Sequence, residues 1–381
     1  VPEIRSIIQK VKDLSGKLGL FLEVAPIKKL EPRTPLKEAL AKRGIPPSLG
    51  WTEKDLPGLL DPREIYPWAR GILCFAQPYS REEESKGDEP CGEIADFCSR
   101  DWYGLLKEKL RMIKAEIISS FPNLKAKVFV EGKILEKTWG EVAGIGWRGK
   151  NSLLLRKGTG SRILLGEILI SEEVEETGRP MESKCGECTL CLEACPTGAI
   201  IKPFQVLPNL CLDYFTLHYD GILPQKIREK MGNRLFGCSA CQEICPYNRD
   251  NPETFGPRPS GPGFSFPLEK ALKMDEEEFQ RIFTGHTFKG KSLSLLKRNA
   301  LVVAGNSREK SLFELVEPFA FDSFSLLRVH ALWSLWRIDS ERASKVFRRI
   351  RHIETNPRIL KEIETLEEEG IQKQNEIKGG F

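Results

Sequence analysis

Two cysteine runs constrain this chain more than any other feature. The first, Lys184-Cys185-Gly186-Glu187-Cys188-Thr189-Leu190-Cys191-Leu192-Glu193-Ala194-Cys195-Pro196, has the spacing C-x-x-C-x-x-C-x-x-x-C-P. The second, Cys238-Ser239-Ala240-Cys241-Gln242-Glu243-Ile244-Cys245-Pro246, repeats it with the first position missing. Three thiolates this close curl the backbone around one cubane cluster, each reaching a different iron, and the fourth cysteine serves the neighbouring cluster. Cys211 lies between the runs and can supply the absent ligand. The spacing therefore implies two [4Fe–4S] clusters, one on Cys185, Cys188, Cys191 and Cys245, the other on Cys211, Cys238, Cys241 and Cys195. A zinc site closes with two C-x-x-C knuckles and has no use for a further cysteine three residues on.

The remaining cysteines fit this reading. The total of eleven is odd and strongly clustered, which argues against a disulfide scaffold and for reduced thiols. Cys74 lies in the apolar run Gly71-Ile72-Leu73-Cys74-Phe75-Ala76 and reads as a buried, inert thiol. Cys91 and Cys98 have no metal spacing between them. No export signal is visible and no stretch approaches the roughly 20 apolar residues of a membrane span. The expected location is the cytoplasm, with no membrane partner. A formal charge of +4 makes any nucleic-acid footprint local.

The chain reads as an α+β multidomain protein in three parts. Residues 1–180 form an α/β domain, with helices through Ile4–Leu18 and Leu105–Ile118. Strands are expected at Gly71–Gln77, Lys127–Glu131, Ser152–Arg156 and Arg162–Ile170, and an irregular connection around Pro32–Pro67. Residues 181–255 are a ferredoxin-like double-cluster module. A breaker-rich linker, Asn251–Pro267, leads to a helical region, residues 268–381. There Lys297–Val303 resembles Leu327–Trp333 at about one repeat unit's distance, which suggests HEAT-like stacked helix pairs; an ordinary helical bundle is the alternative.

Clusters deliver electrons singly but choose no substrate, so the chemistry belongs at a second site in the N-terminal domain. Gly144-Ile145-Gly146-Trp147-Arg148-Gly149-Lys150-Asn151 contains G-x-G-x-x-G and nearly completes a P-loop. Both motifs need a strand before and a helix after. Here Ile134–Ala143 reads as helix and Ser152–Arg156 as strand, so the order is inverted, although such a loop still allows close approach to a large ligand. His218-Tyr219-Asp220-Gly221 resembles the tail of the D-x-H-x-x-G signature by which a histidine ligates cobalt. Thr216 replaces its Asp, leaving no carboxylate to orient the ring. Glu131 follows the apolar Val128-Phe129-Val130. By itself it reads as a solvated strand-end residue or as a carboxyl whose raised pKa suits proton donation.

Further motifs run through nearly the whole chain: Asp61-Pro62-Arg63 to Ala69-Arg70-Gly71-Ile72, Val128-Phe129-Val130-Glu131, Ala143 to Leu154, and Leu165-Gly166-Glu167-Ile168. They continue in Pro196-Thr197-Gly198-Ala199-Ile200, Gly232-Asn233-Arg234-Leu235-Phe236-Gly237-Cys238 and Arg298-Asn299-Ala300-Leu301. Together they resemble the epoxyqueuosine reductase family. The resemblance implies a cobalamin-dependent oxidoreductase that removes the epoxide oxygen of epoxyqueuosine in tRNA, the last step of queuosine formation. It implies base-off cobalamin in the N-terminal domain, with contacts from Trp147, Lys150, Asn151 and Ser152, and cobalt reduced through the clusters. It also implies a tail that helps hold tRNA, a small electron-donor protein or reductant as partner, and Glu131 as the acid.

The departures from the family lie on the substrate side. The family has Asp followed by Ser/Thr-Ala-Pro where this chain has Glu131-Gly132-Lys133. Its Gly-Arg-Asp-Tyr-His appears as Ser99-Arg100-Asp101-Trp102-Tyr103, and its Tyr-His-Gly-Glu-Met has no counterpart around Gly44–Trp51. A reductase of the same architecture with another substrate is thus one alternative, and a non-catalytic electron-transfer protein another. Arg337, Arg342, Lys345, Arg348, Arg349 and Arg351 form the densest basic stretch and are the expected phosphate contacts.

Overall fold

The computed structural model describes residues 2–31, 53–80, 89–132, 134–249, 262–285 and 287–378. Gly44–Trp51, Lys133, most of the expected Asn251–Pro267 linker and much of the Pro32–Pro67 connection lie outside them. Along the chain run α1 (Pro2–Lys17), β1 (Phe21–Pro26), β2 (Gly71–Pro78), β3 (Cys91–Ile94), α2 (Trp102–Ser120), β4 (Ala126–Phe129) and α3 (Glu136–Ala143). Then come β5 (Trp147–Arg148), β6 (Leu154–Leu155), β7 (Ile163–Ile170), β8 (Ile200–Lys202), β9 (Gln205–Val206) and α4 (Leu212–Leu217). After β10 (Arg234–Phe236) and β11 (Ser265–Pro267), the longer helices are α5 (Leu293–Ser307), α6 (Ser325–Ile338), α7 (Ser340–Arg351) and α8 (Pro357–Lys378).

The main sheet has the order β1-β2-β7-β4, with every neighbouring pair antiparallel. β2 is buried along its whole length because helices cover both faces. Side chains alternate across a strand. Leu73 and Phe75 accordingly meet Ile7 and Val11 of α1 and Leu106, Leu110 and Ile113 of α2. Ile72, Cys74 and Ala76 point the other way, toward Trp139 and Ala143 of α3. Cys74 is therefore a core residue, and burial raises its thiol pKa well above the usual value.

A second sheet draws on three distant parts of the chain. β3 pairs in parallel with β10 and antiparallel with β11, giving the order β10-β3-β11. The end of the expected linker is thus a strand. Ile94, Ala95 and Cys98 belong to the same apolar core as Phe236, Phe266 and the tail helices. Within the tail, Gly305 of α5 lets α6 approach closely. A Cβ there would stand 2.7 Å from the Trp333 ring, and Ser334 Oγ donates to the Leu301 carbonyl at 2.5 Å. Among the described residues no helix is long and apolar enough to cross a membrane.

The tail also grips the cluster module. Arg298, fully buried on α5, donates through Nη2 to the Phe215 carbonyl at 2.7 Å and through Nη1 to the carbonyls of Tyr219 and Gly221. Asn299 donates to the carbonyls of Thr216 and Leu235 at 3.0 and 2.7 Å. The two polar residues in the expected repeat copy therefore close α4 and β10 against the tail.

Candidate active site and cluster module

Both cysteine runs fold as the same local unit. Each ends in a four-residue helical turn, Leu190–Glu193 and Ala240–Glu243, followed by a cysteine and a proline. Burial, then the thiols of Cys185, Cys245 and Cys188, push Cys191 up to about 11. Burial, then Asp213 and Cys238, push Cys211 up to about 12. Burial, then Cys238 and Cys211, raise Cys241 further still. Thiols crowded in this way hold their protons until a metal supplies the compensating charge. Among the described residues no three Cys, His, Asp or Glu side chains converge as they would on a single ion.

The second run is locked to the main sheet by a buried polar network. Gln242 Nε2 donates to the Ser161 carbonyl and to the Tyr79 hydroxyl, each at 3.0 Å. Asn248 Nδ2 donates to the Gln242 carbonyl at 2.7 Å, and Arg162 Nη1 donates to the Asn248 carbonyl at 3.0 Å. Arg162 stands 3.4 Å from the Asp96 carboxylate, with both side chains nearly inaccessible. Gly160, at a φ of +71°, has no room for a Cβ, which would lie 1.9 Å from Asn248 Oδ1.

Between the main sheet and this module lies a cavity of about 1250 Å³, above the roughly 300–1,000 Å³ of ordinary small-molecule sites. Cys195, Cys211, Cys238 and Cys241 line one side of it, and Cys185, Cys188, Cys191 and Cys245 do not. Glu131, Gly132, Tyr103 and Lys137 border it as well. The expected strand ends short of Glu131, which lies two residues beyond β4 with a φ of +61°. It is exposed at the rim. Of the two readings of Glu131 from the sequence, the solvated strand-end residue is the one the fold builds; its neighbour Glu136 is half-buried. Burial raises the Glu136 pKa, while the Gly132 N–H donated to its Oε1 at 3.0 Å opposes that rise.

The Gly-rich segment forms the β5–β6 hairpin beside the cavity. At Gly146 a Cβ would sit 2.0 Å from the Leu155 carbonyl oxygen, so close approach within the hairpin accounts for this glycine. The four residues expected to touch a cofactor here part company. Asn151 and Ser152 line the cavity. Trp147 and Lys150 face the cluster module instead. Trp147 is fully buried and packs edge-on against Tyr247 at 5.0 Å, and Lys150 Nζ donates to the Gly186 carbonyl at 2.6 Å. Arg148 fixes the loop by donating to Glu141 Oε2 at 2.9 and 2.6 Å and to the Ser152 carbonyl at 3.2 Å.

α4 and the residue that caps it bring in Asp213, which the sequence did not single out, and His218, which it did. His218 lines the cavity with Nδ1 3.4 Å from Lys291 Nζ, and burial, then that ammonium, push its pKa down to about 4. Asp213 lines it too, raised to about 6 by burial, against the pull of Lys137 and Lys291. Tyr103, also on the cavity wall, is raised well above the usual phenol value by burial, then by Glu131.

The basic stretch of the tail is largely spoken for. Arg342 pairs with Glu314 at 2.6 Å, Arg349 with Glu317 at 2.8 Å, Arg351 with Glu367 at 2.6 Å and Arg337 with Glu229 at 3.3 Å. Lys345 and Arg348 are exposed.

Comparison with known proteins is consistent with this arrangement. Residues 184–248 match the family model described as a 4Fe-4S double cluster binding domain. The epoxyqueuosine reductase of Bacillus subtilis strain 168 is 31% identical over 85% of this chain and 87% of its own length. A solved structure of the Bacillus subtilis epoxyqueuosine reductase, with its catalytic aspartate loop swung out of the active site, superposes with a TM-score of 0.86 at 25% identity, covering 95% of this chain and 98% of that one. An epoxyqueuosine reductase crystallised with an epoxyqueuosine-modified tRNA-Tyr stem loop shares the fold, with a TM-score of 0.83 at 24% identity over 95% and 97% of the two chains. A relative of that identity and coverage, together with the double-cluster module, places this chain in the epoxyqueuosine reductase family.

Proposed function

We propose that this protein reduces the epoxide of epoxyqueuosine in tRNA to the alkene of queuosine, in the cytoplasm. The observation that carries the reading is the large cavity, walled on one side by four cysteines of the double-cluster module and rimmed by a carboxylic acid. The reaction takes two electrons and two protons and releases the epoxide oxygen as water. Electrons enter from an external reductant or small donor protein through two [4Fe–4S] clusters. Cys185, Cys188, Cys191 and Cys245 hold the outer cluster, and Cys195, Cys211, Cys238 and Cys241 hold the one against the cavity.

The cavity's size and its backbone-lined Asn151–Ser152 edge fit a corrinoid. When bound, cobalamin supplies a low-valent cobalt that accepts electrons singly and serves carbon–oxygen cleavage. The chain's own residues do the rest. Asn151 and Ser152 would border the corrinoid when it is bound, and His218, held neutral by burial and by Lys291, would not be required as a cobalt ligand. Glu131 stands on a left-handed turn at the rim and gives its proton to the oxygen as the carbon–oxygen bond breaks. We read residues 1–180 as the cofactor and substrate domain, 181–255 as the electron relay, and the HEAT-like region 268–381 as a support for tRNA. Exposed Lys345 and Arg348 are the tail groups best placed for phosphates.

The test is anaerobic holoprotein with bound cobalamin and reductant, incubated with epoxyqueuosine-containing tRNA and read by nucleoside mass analysis. The expected result is loss of one oxygen. A fully loaded protein that leaves the nucleoside intact refutes the reading and favours another substrate, the alternative to which Glu131 and Tyr103 lend support.

A further inference from the structure

Asp213 has no role in the reaction as written, yet its setting is that of a ligand-binding group. Its Oδ1 is buried and has no hydrogen-bond partner among the described residues, while the side chain borders the large cavity. An acceptor buried without a donor is destabilising, and a bound molecule that offers one relieves that cost. Lys137, on the cavity wall, and Lys291 act on it electrostatically, but neither forms an ion pair with it among the described residues, and Lys291 Nζ sits against His218 Nδ1 at 3.4 Å. A molecule in the cavity is placed to supply that donor.

Two molecules enter this cavity on the proposed reading, and they offer different donors. A corrinoid presents neutral amides. Epoxyqueuosine joins its epoxide-bearing ring to its deazaguanine through a secondary amine that is protonated at neutral pH. Asp213 lies within electrostatic reach of Glu131 and Tyr103, the groups at the reacting end. A charged donor meeting a charged acceptor makes the stronger and more selective bond. Resting on the proposed function, we infer that Asp213 is a specificity-determining residue whose carboxylate receives the ammonium of the modified base and so sets the epoxide beneath Glu131.

The experiment compares two tRNA stem loops, one carrying epoxyqueuosine and one carrying guanosine at the same position, binding to anaerobic holoprotein. The parent should prefer the modified loop. Asp213→Asn should lower affinity for the modified loop tenfold or more, leave the guanosine loop unchanged, and leave iron content and the absorbance titration with cobalamin unchanged. Asp213→Glu, which keeps the charge, should restore part of the preference and covers the case in which the Asn variant folds poorly. An unaltered preference in Asp213→Asn overturns the inference while leaving the proposed function standing. A fall in cobalamin affinity with the preference intact also overturns it, because the carboxylate would then serve the corrinoid. A parent that cannot tell the two loops apart overturns the functional reading itself.

Discussion

Asn151 Nδ2 donates to the carbonyl of Cys241 at 3.3 Å, and Asn151 Oδ1 accepts the Leu153 N–H at 3.1 Å. One amide thus ties the cavity's edge to the second cysteine run. Asn151→Asp keeps the acceptor and loses the donor, placing an oxygen against a carbonyl. The expected cost is about 1–3 kcal/mol, seen as a lower unfolding midpoint of the holoprotein, with iron released faster to a chelator. An unchanged midpoint and release rate would show the tie to be incidental.

Cys211 is the ligand that spacing alone had to borrow from outside the two runs. Cys211→Ala should cost the cluster beside the cavity and leave the outer one, so iron and sulfide content should fall to about half. Retention of full iron would exclude Cys211 from the ligand set. Zinc in the anaerobic protein would refute both clusters.

Glu131 is judged by a pair of variants. Glu131→Gln removes the acid and should slow turnover by about 10²–10⁴, with iron content and cobalamin binding at parental levels. Glu131→Asp restores the family's usual residue on a shorter arm and should retain measurable activity. Parental turnover in the Gln variant would reduce Glu131 to a rim carboxylate.

Much of this was legible before the fold was known, and the reasons differ by residue. The cluster runs announce themselves because their ligands are close in sequence and their spacing is set by the metal. Strand β2 was equally plain, since a strand buried on both faces is an unbroken apolar run. β3 and β11 were not. Cys91–Ile94 and Ser265–Pro267 are short, and their pairing partners lie far along the chain, so nothing local marks them. The glycines around Trp147 suggested ligand contacts, but two of the four expected residues turn to the cluster module, Trp147 to Tyr247 and Lys150 to the Gly186 carbonyl. Asp213 and His218 reach the cavity only because Arg298 and Asn299 fold α4 against the tail. The tail arginines carried a basic signal whose acidic partners, such as Glu314 and Glu317, sit a helix away.

Acid should destabilise the protein through His330. Its Nε2 accepts the Leu223 N–H at 3.1 Å and its Nδ1 faces the Leu326 carbonyl at 2.6 Å, so the ring must be neutral. Burial, then Arg228 and Arg298, hold its pKa well below 6.5. Above pH 6.5 neither the folded nor the unfolded histidine is protonated and its stabilising contribution is complete. As pH falls below 6.5 the unfolded state takes a proton that the folded state refuses, and stability declines. Urea midpoints measured from pH 8 to 5 should drop more steeply for the parent than for His330→Gln. Equal slopes would exclude His330 as the source.

The three-stranded sheet has a consequence for how the molecule is made. Cys91–Ile94 leaves the ribosome well before Arg234–Phe236, the strand beside it, and later still comes Ser265–Pro267. At about 5–20 residues per second, it waits on the order of ten seconds with both edges bare. Only the first cysteine run is translated within that interval; the second follows directly after β10, and β11 completes the sheet after both. Both cysteine runs are therefore out of the ribosome before β10-β3-β11 can be completed, with their thiols still open to an iron–sulfur donor.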